Sequence, residues 1–236
     1  MTDCAPIRSA LTTASRAAAL AACFAALHGC AAPQPRRLSM EDARTMFASR
    51  GVQPGEPLPA LPATTLEGAP TSVRALQGAR PLVLVTASLT CSVARAQQAD
   101  VDALREQFGE RVAVVVLYTI EAHPKSDPCP YTGEEWIPKV NERDGVLERQ
   151  PTTLEERLRL AREYQRRFSR GATVVVDTMD NAAWKAVGEA PNLGLVVDAA
   201  GVVRSREGWF DAKAATAALE ALGVRPAASP SVPAGR

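Results

Sequence analysis

The feature that most constrains this chain is a series of short, wholly apolar runs separated by segments of helical periodicity. "PLVLVTA" from Pro81, "VAVVVL" from Val112 and "TVVVD" from Thr173 have strand length and no polar alternation. Such runs are expected of strands covered on both faces. Between the first two, Ser92 to Phe108 places Ala94, Val101, Leu104 and Phe108 on one helical face. "PTTLEERLRLAREYQRRF" from Pro151 predicts another helix, with Thr152 and Glu155 as a capping box and Leu154, Leu158, Ala161 and Phe168 as its apolar stripe. A short helix in "MDNAAWKAVG", a hairpin turning at Ala200-Gly201 and a closing helix in "AKAATAALEAL" complete the pattern. The expectation is an α/β protein with a central mixed β-sheet flanked by helices.

The order of strand, helix, strand, helix, strand, hairpin and helix resembles the thioredoxin fold. One segment interrupts it. Glu121 to Pro151 is rich in Pro, Gly and Asp and lacks periodicity, so it reads as a long inserted loop, a kind that is usually functional or disordered when it occurs in a compact domain. An opening strand at Pro62 to Leu66, a turn at Glu67-Gly68 and a helical turn before Gly78 precede the first buried run.

The two ends have a different character. "AAALAACFAAL", Ala17 to Leu27, is too short for the about 20 residues a spanning helix needs, but it suits a signal-peptide core. Leu27, Gly29 and Cys30 then resemble a bacterial lipoprotein processing box, in which the cysteine is acylated, although His28 departs from it. The expected division is 1–29 signal peptide, 30–54 lipidated tether with a short helix from Ser39 to Ser49, 55–224 folded domain, and 225–236 disordered Pro/Ser/Ala tail. Localisation follows as the exported, cell-envelope side, with a membrane partner through lipid on Cys30. The balance of 27 basic against 26 acidic residues leaves no footprint for nucleic acid.

Of five cysteines, export and lipidation leave Cys91 and Cys129 as thiols. Cys91 stands where the first buried run ends and a helix begins. Carboxyl ends of strands form the crevice of open α/β sheets, and a helix N-terminus favours thiolate over thiol. Arg95, one turn on, is placed to approach the same sulfur. The alternative is a small core cysteine. Cys91 is followed by Ser92, Val93 and Ala94, so the C-x-x-C redox pair is absent. The peroxiredoxin proline seven residues earlier is replaced by Leu84, while Ser88 keeps a hydroxyl three residues before the cysteine. Pro191, just before the hairpin, resembles the cis-proline that thioredoxin-fold proteins set against their active cysteine.

Three stretches together resemble the iodothyronine deiodinase family, particularly bacterial, cysteine-containing relatives. "SLTCSVAR" is similar to its active-site segment, with Cys91 where the animal enzymes carry selenocysteine. "LYTIEAHP" is similar to its Y-x-x-E-A-H motif, and "VDTMDNAAWKAVGEAPNLGLVVDAAGVV" to its C-terminal half. The resemblance implies a thioredoxin-like oxidoreductase with Cys91 as nucleophile and Glu121 and His123 at the same crevice. Two residues apart in extended backbone, these two side chains would point the same way, with the carboxylate raising the basicity of the imidazole. The sequence departs from the family in lacking Pro-Pro-Phe after the cysteine. It also carries "PKSDPCPYTGEEW" after His123. That insertion holds Cys129, either a resolving thiol for Cys91 or an isolated exposed one.

Two classes of function remain open: a thiol oxidoreductase, of deiodinase or peroxidase type, or a redox-inactive binding module on the same scaffold. The former needs an external thiol reductant and a small-molecule or disulfide substrate. No cofactor motif is present, neither a dinucleotide glycine fingerprint nor a phosphate loop, and no tight ligand spacing suggests a metal. Mass spectrometry of the purified mature protein should find Cys30 as a lipid-modified first residue. A chain retaining residues 1–29 would overturn that expectation.

Overall fold

The computed structural model describes residues 40–227; residues 1–39, with Cys30 and Ser39, and residues 228–236 of the expected tail lie outside the described residues. In chain order the elements are α1 (Met40–Ala48), β1 (Pro62–Thr65), β2 (Pro70–Ser72), α2 (Val73–Gln77), β3 (Leu82–Ala87), α3 (Ser92–Phe108), β4 (Ala113–Tyr118), α4 (Lys139–Arg143), α5 (Leu154–Phe168), β5 (Thr173–Asp177), α6 (Ala182–Val187), β6 (Gly194–Val197), β7 (Val203–Glu207) and α7 (Ala212–Ala221). The strands form one mixed sheet in the order β2-β1-β5-β4-β3-β6-β7. β3, β4 and β5 are parallel, and the flanking pairs are antiparallel. This is the thioredoxin-like architecture expected from the apolar runs.

The two-sided burial of those runs has a direct cause. Alternate residues of the central strands serve opposite cores. Val83, Val85, Val114, Val116, Val174 and Val176 pack with Leu104, Phe108, Leu158 and Tyr164 of α3 and α5. Leu82, Leu84, Val115, Leu117 and Val175 pack with Phe47, Val52, Val73 and Val187 on the other side. Phe47 is 2% and Val52 7% exposed, so the folded unit reaches back past residue 55, into α1. Arg206 clamps this segment by donating to the carbonyls of Ala48 (3.1 Å), Val187 (3.2 Å) and Arg50. Gly51 and Gly188 meet there so closely that a Cβ on either would collide with the backbone of the facing segment.

Three local expectations shift. The capping box of α5 is formed by Thr153 and Glu156, one residue later than Thr152 and Glu155. Thr152 stays outside the helix and hydrogen-bonds Glu156 as well. Leu154 therefore opens the helix away from the core, at 36% exposure, and the buried face runs through Arg157, Leu158, Leu160, Ala161 and Tyr164. Pro191 is buried, but no described peptide bond is cis, so the expected cis-proline is trans, the isomer that X-Pro bonds ordinarily favour. The inserted loop is packed: its ends are joined by Gln150, whose side chain accepts from Glu121 N–H (2.8 Å) and donates to Glu121 C=O (3.1 Å).

Asp177 ends β5 by accepting from the amides of Thr178 (2.8 Å), Ala183 (3.1 Å) and Trp184 (2.8 Å), which fixes the start of α6. Asp177→Ala leaves buried amides unpaired and should destabilise the fold by about 2–4 kcal/mol in denaturant titration. An unchanged midpoint would show that α6 is held by other means.

Candidate active site

The site lies beyond the carboxyl ends of β3 and β4, where the chain crosses from β3 into α3 through Ser88, Leu89, Thr90 and Cys91. This crossing is buried, so its backbone polar groups need partners inside the protein. Leu89 N–H donates to Tyr118 Oη (2.9 Å), and Leu89 C=O accepts from Arg95 (2.8 Å). Thr90 N–H donates to Glu121 Oε2 (2.8 Å), and Thr90 C=O accepts from Asn141 Nδ2 (2.8 Å). Cys91 N–H donates to Ser88 C=O (3.2 Å), and its own carbonyl accepts from Arg95 N–H (3.1 Å). Every main-chain donor and acceptor of these three residues is thus bound.

Cys91 occupies the N-cap of α3, and its sulfur accepts from Ala94 N–H at 3.4 Å. The helix terminus is where the sequence put it. Its protonation is not: Cys91 is 1% exposed, and burial pushes its thiol up to about 11. The Ala94 and Val93 amides and Arg95 pull the other way without prevailing. Arg95 is not aimed at the sulfur by a hydrogen bond. Its guanidinium serves Leu89 C=O, Asn141 Oδ1 (3.0 Å) and Asp144 (3.3 Å). The expectation of a partly open thiolate is therefore corrected to a closed, neutral thiol.

Glu121 and His123 also depart from the expected pair. The chain bends after Tyr118, so the two-residue alternation of a strand no longer governs them. Glu121 is fully buried and accepts from Thr90 N–H, Thr90 Oγ1 (2.6 Å) and Tyr118 Oη. Burial raises its carboxyl despite these donors and the nearby Arg157. His123 donates its backbone N–H to the same Thr90 hydroxyl (3.0 Å) while its ring packs edge-on to Trp136, centroids 4.6 Å apart. Its Nδ1 is buried without a partner, and burial depresses the imidazole from 6.5 to about 4. The link between carboxylate and histidine runs through the Thr90 hydroxyl. Both residues do reach the neighbourhood of Cys91, through Thr90, its immediate predecessor.

Ser88 is buried, and its hydroxyl accepts from Ala122 N–H (3.2 Å). Pro191 lies in a loop tied to the end of β3: Thr86 Oγ1 donates to Ala190 C=O (3.0 Å) and accepts from Leu193 N–H (2.7 Å). Cys129 is free and 0% exposed, which corrects the exposed, mobile thiol expected from its loop. A turn closes around it, with Cys129 N–H bound to Glu134 C=O (2.9 Å) and its carbonyl bound by Gly133 N–H (2.9 Å). Thr90, Tyr118 and Asn141 are the site residues that sequence reasoning missed. Thr90 and Tyr118 stood inside the quoted motifs, whereas nothing in the sequence marked Asn141.

The depressed imidazole has a pH consequence. His123 binds its proton less readily folded than unfolded, so stability is intact above about 6.5 and declines as pH falls towards 4. NMR titration should place the His123 midpoint well below that of an exposed imidazole, and His123→Gln should remove this part of the acid slope. A midpoint at or above 6.5 would contradict the burial described.

The iodothyronine deiodinase family profile matches residues 39–210. No curated protein matches the chain. Among solved structures, a putative thiol:disulfide interchange protein DsbE from Chlorobium tepidum is 11% identical, with TM-score 0.50 over 74% of this chain and 99% of that one. A secreted Mycobacterium tuberculosis disulfide oxidoreductase homologous to E. coli DsbE is 15% identical, with TM-score 0.43 over 68% and 94%. The pneumococcal exposed lipoprotein thioredoxin from Streptococcus pneumoniae is 15% identical, with TM-score 0.44 over 69% and 99%. At 11% identity the Chlorobium likeness speaks to the fold alone. With the profile spanning the capped cysteine, the Glu-Ala-His segment and the hairpin, the chain belongs to the iodothyronine deiodinase family, a family of oxidoreductases.

Proposed function

We propose that this protein is a thiol-dependent oxidoreductase in which Cys91 is the nucleophile. The observation that carries the reading is the cysteine at the α3 N-cap, preceded by a residue whose hydroxyl and amide both bind a fully buried glutamate. Once the site opens, the burial that holds the thiol proton is relieved. The Ala94 and Val93 amides and Arg95 remain to favour the anion. The thiolate then attacks an electrophilic halogen, oxygen or sulfur of the substrate. A bond from sulfur to that atom forms, the substrate bond to it breaks, and the departing group takes the electron pair with a proton. Glu121, with its raised carboxyl and its hydrogen bonds to Thr90 and Tyr118, is a proton store bound to the residue that precedes Cys91, and His123 adjoins it through Thr90.

The oxidised Cys91 is returned by a second thiol, which attacks its sulfur, expels the halide, water or thiolate and leaves a disulfide. Cys129 is the internal candidate for this resolving role, and an external dithiol restores both sulfurs. The N-terminal segment supports an exported, lipid-anchored enzyme on the cell-envelope side.

A second reading draws on one specific observation. Cys91 is buried and its thiol is pushed up to about 11, as befits a redox-inactive binding module. Consumption of dithiothreitol in the presence of an iodinated phenol, hydrogen peroxide or an aliphatic disulfide separates the two. The enzyme reading expects the native protein to turn over at least one of these, and Cys91→Ser none, with stability changed by no more than about 1 kcal/mol. Equal turnover by the serine variant, or none by the native protein, would remove Cys91 from the chemistry.

A further inference from the structure

Arg95 is a cation kept inside the protein, and its side-chain partners come from three parts of the chain. The side chain is 5% exposed. One terminal nitrogen donates to Leu89 C=O (2.8 Å), and the other to Asn141 Oδ1 (3.0 Å) and Asp144 Oδ2 (3.3 Å). The guanidinium carbon stands 5.7 Å from the ring centroid of Phe168, the last residue of α5. Asn141 Nδ2 in turn donates to Thr90 C=O (2.8 Å), the carbonyl of the peptide bond that joins Thr90 to Cys91. The guanidinium is thus fixed beside the chain just before Cys91, and Cys91 itself lies one helical turn back along α3.

A buried guanidinium does not shed its proton, so it needs an anion. In the closed structure that anion is Asp144 of the inserted segment, the residue that follows α4. Asp144 has a second cation: its Oδ1 accepts from Arg143 Nε at 2.9 Å, and the Arg143 side chain is 74% exposed. The pair is therefore lopsided. Moved into water, Asp144 keeps Arg143, whereas Arg95 loses its anion in a place where solvent is a poor substitute. The ionisable groups whose charge bears on Cys91 are Arg95 of α3, Glu121 beyond β4, Tyr131 of the inserted segment and Tyr164 of α5, and Arg95 is the cation among them. Deprotonation of Cys91 supplies the anion that a released Arg95 lacks.

We propose that Arg95 exchanges counter-anions: with residues 139–146 seated it is spent on Asp144 and Asn141, and when that segment lifts it pairs with the Cys91 thiolate. The thiol proton passes to the water that enters as the segment lifts. Asn141, Asp144 and Val146 travel together, because Val146 N–H binds Asn141 C=O (2.8 Å) and Asp144 N–H binds Val140 C=O (3.0 Å). Seated, the segment holds the Thr90–Cys91 peptide directly, so the motion that frees Arg95 also frees the backbone of the cysteine. The inserted segment thereby governs the charge of the thiol as well as access to it. The functional meaning rests on Cys91 being the working thiol, but the exchange itself is read without turnover.

The test follows alkylation of Cys91 by iodoacetamide in the full chain, by peptide mass spectrometry, at one fixed pH below the thiol midpoint. There the rate tracks the thiolate fraction, about tenfold for each pH unit by which the midpoint falls. Asp144→Asn should raise the rate about tenfold. Asp144→Glu, which keeps the carboxylate, and Glu142→Gln, at an exposed position of the same helix, should stay near the native rate. Adding Arg95→Gln to Asp144→Asn keeps a donor for Leu89 C=O but removes the cation, and should return the rate to the native value or below. If circular dichroism shows Asp144→Asn to be unfolded, Asp144→Ser replaces it with the same readouts. A native rate in Asp144→Asn, or equal acceleration in Asp144→Glu or Glu142→Gln, would overturn the exchange. So would a double variant as fast as Asp144→Asn, since access alone would then explain the gain. The expected pattern in a protein that turns over none of the substrates would remove the enzyme reading and leave the exchange standing.

Discussion

Burying the crossing from β3 to α3 is the constraint around which the site is built. A loop in the interior has no water to bind its amides, and the protein answers with four side chains from four other segments. Tyr118 comes from the end of β4, Glu121 from the bend beyond it, Arg95 from the first turn of α3 and Asn141 from α4. Each binds a backbone group of Leu89 or Thr90, and together they fix the position from which Cys91 starts its helix. The inserted loop thereby becomes part of the site: α4 lies within it, and Asn141 reaches from it to both Thr90 and Arg95.

The same burial sets the protonation of every group nearby. Cys91, Glu121 and Tyr118 are all held towards their neutral forms, and so is the imidazole of His123. In a low-dielectric site each charge costs more than its local partners return. In the proposed mechanism, admitting water or substrate to this closed site changes the protonation of several groups together. The Val93 and Ala94 amides at the α3 N-terminus already favour the thiolate, although burial outweighs them.

Much of this was legible in the chain. Uninterrupted runs such as Leu82–Ala87 and Ala113–Tyr118 have the length and composition of strands with both faces covered, and the limits expected for α3 match those observed. The position of Cys91 followed from where an apolar run gave way to helical periodicity. The capping box missed by one residue because Thr152 and Thr153 offer the same hydroxyl and the pattern does not choose between them. Glu121 and His123 were misjudged as partners because strand periodicity was carried past the residue where the strand ends.

Sequence alone determined the mixed sheet with doubly covered central strands, the helix that starts at the cysteine and the clustering of Glu121, His123 and Cys91 at one end of the sheet. These depend on local periodicity and on the rule that strand ends share an edge. Only the tertiary structure decided that Cys91 and Cys129 are buried, that Thr90 stands between glutamate and histidine, and that Asn141 of the inserted loop packs into the site. Burial and pairing between segments more than 30 residues apart, such as Thr90 with Glu121 or Asn141, depend on how elements pack, and no local pattern encodes that.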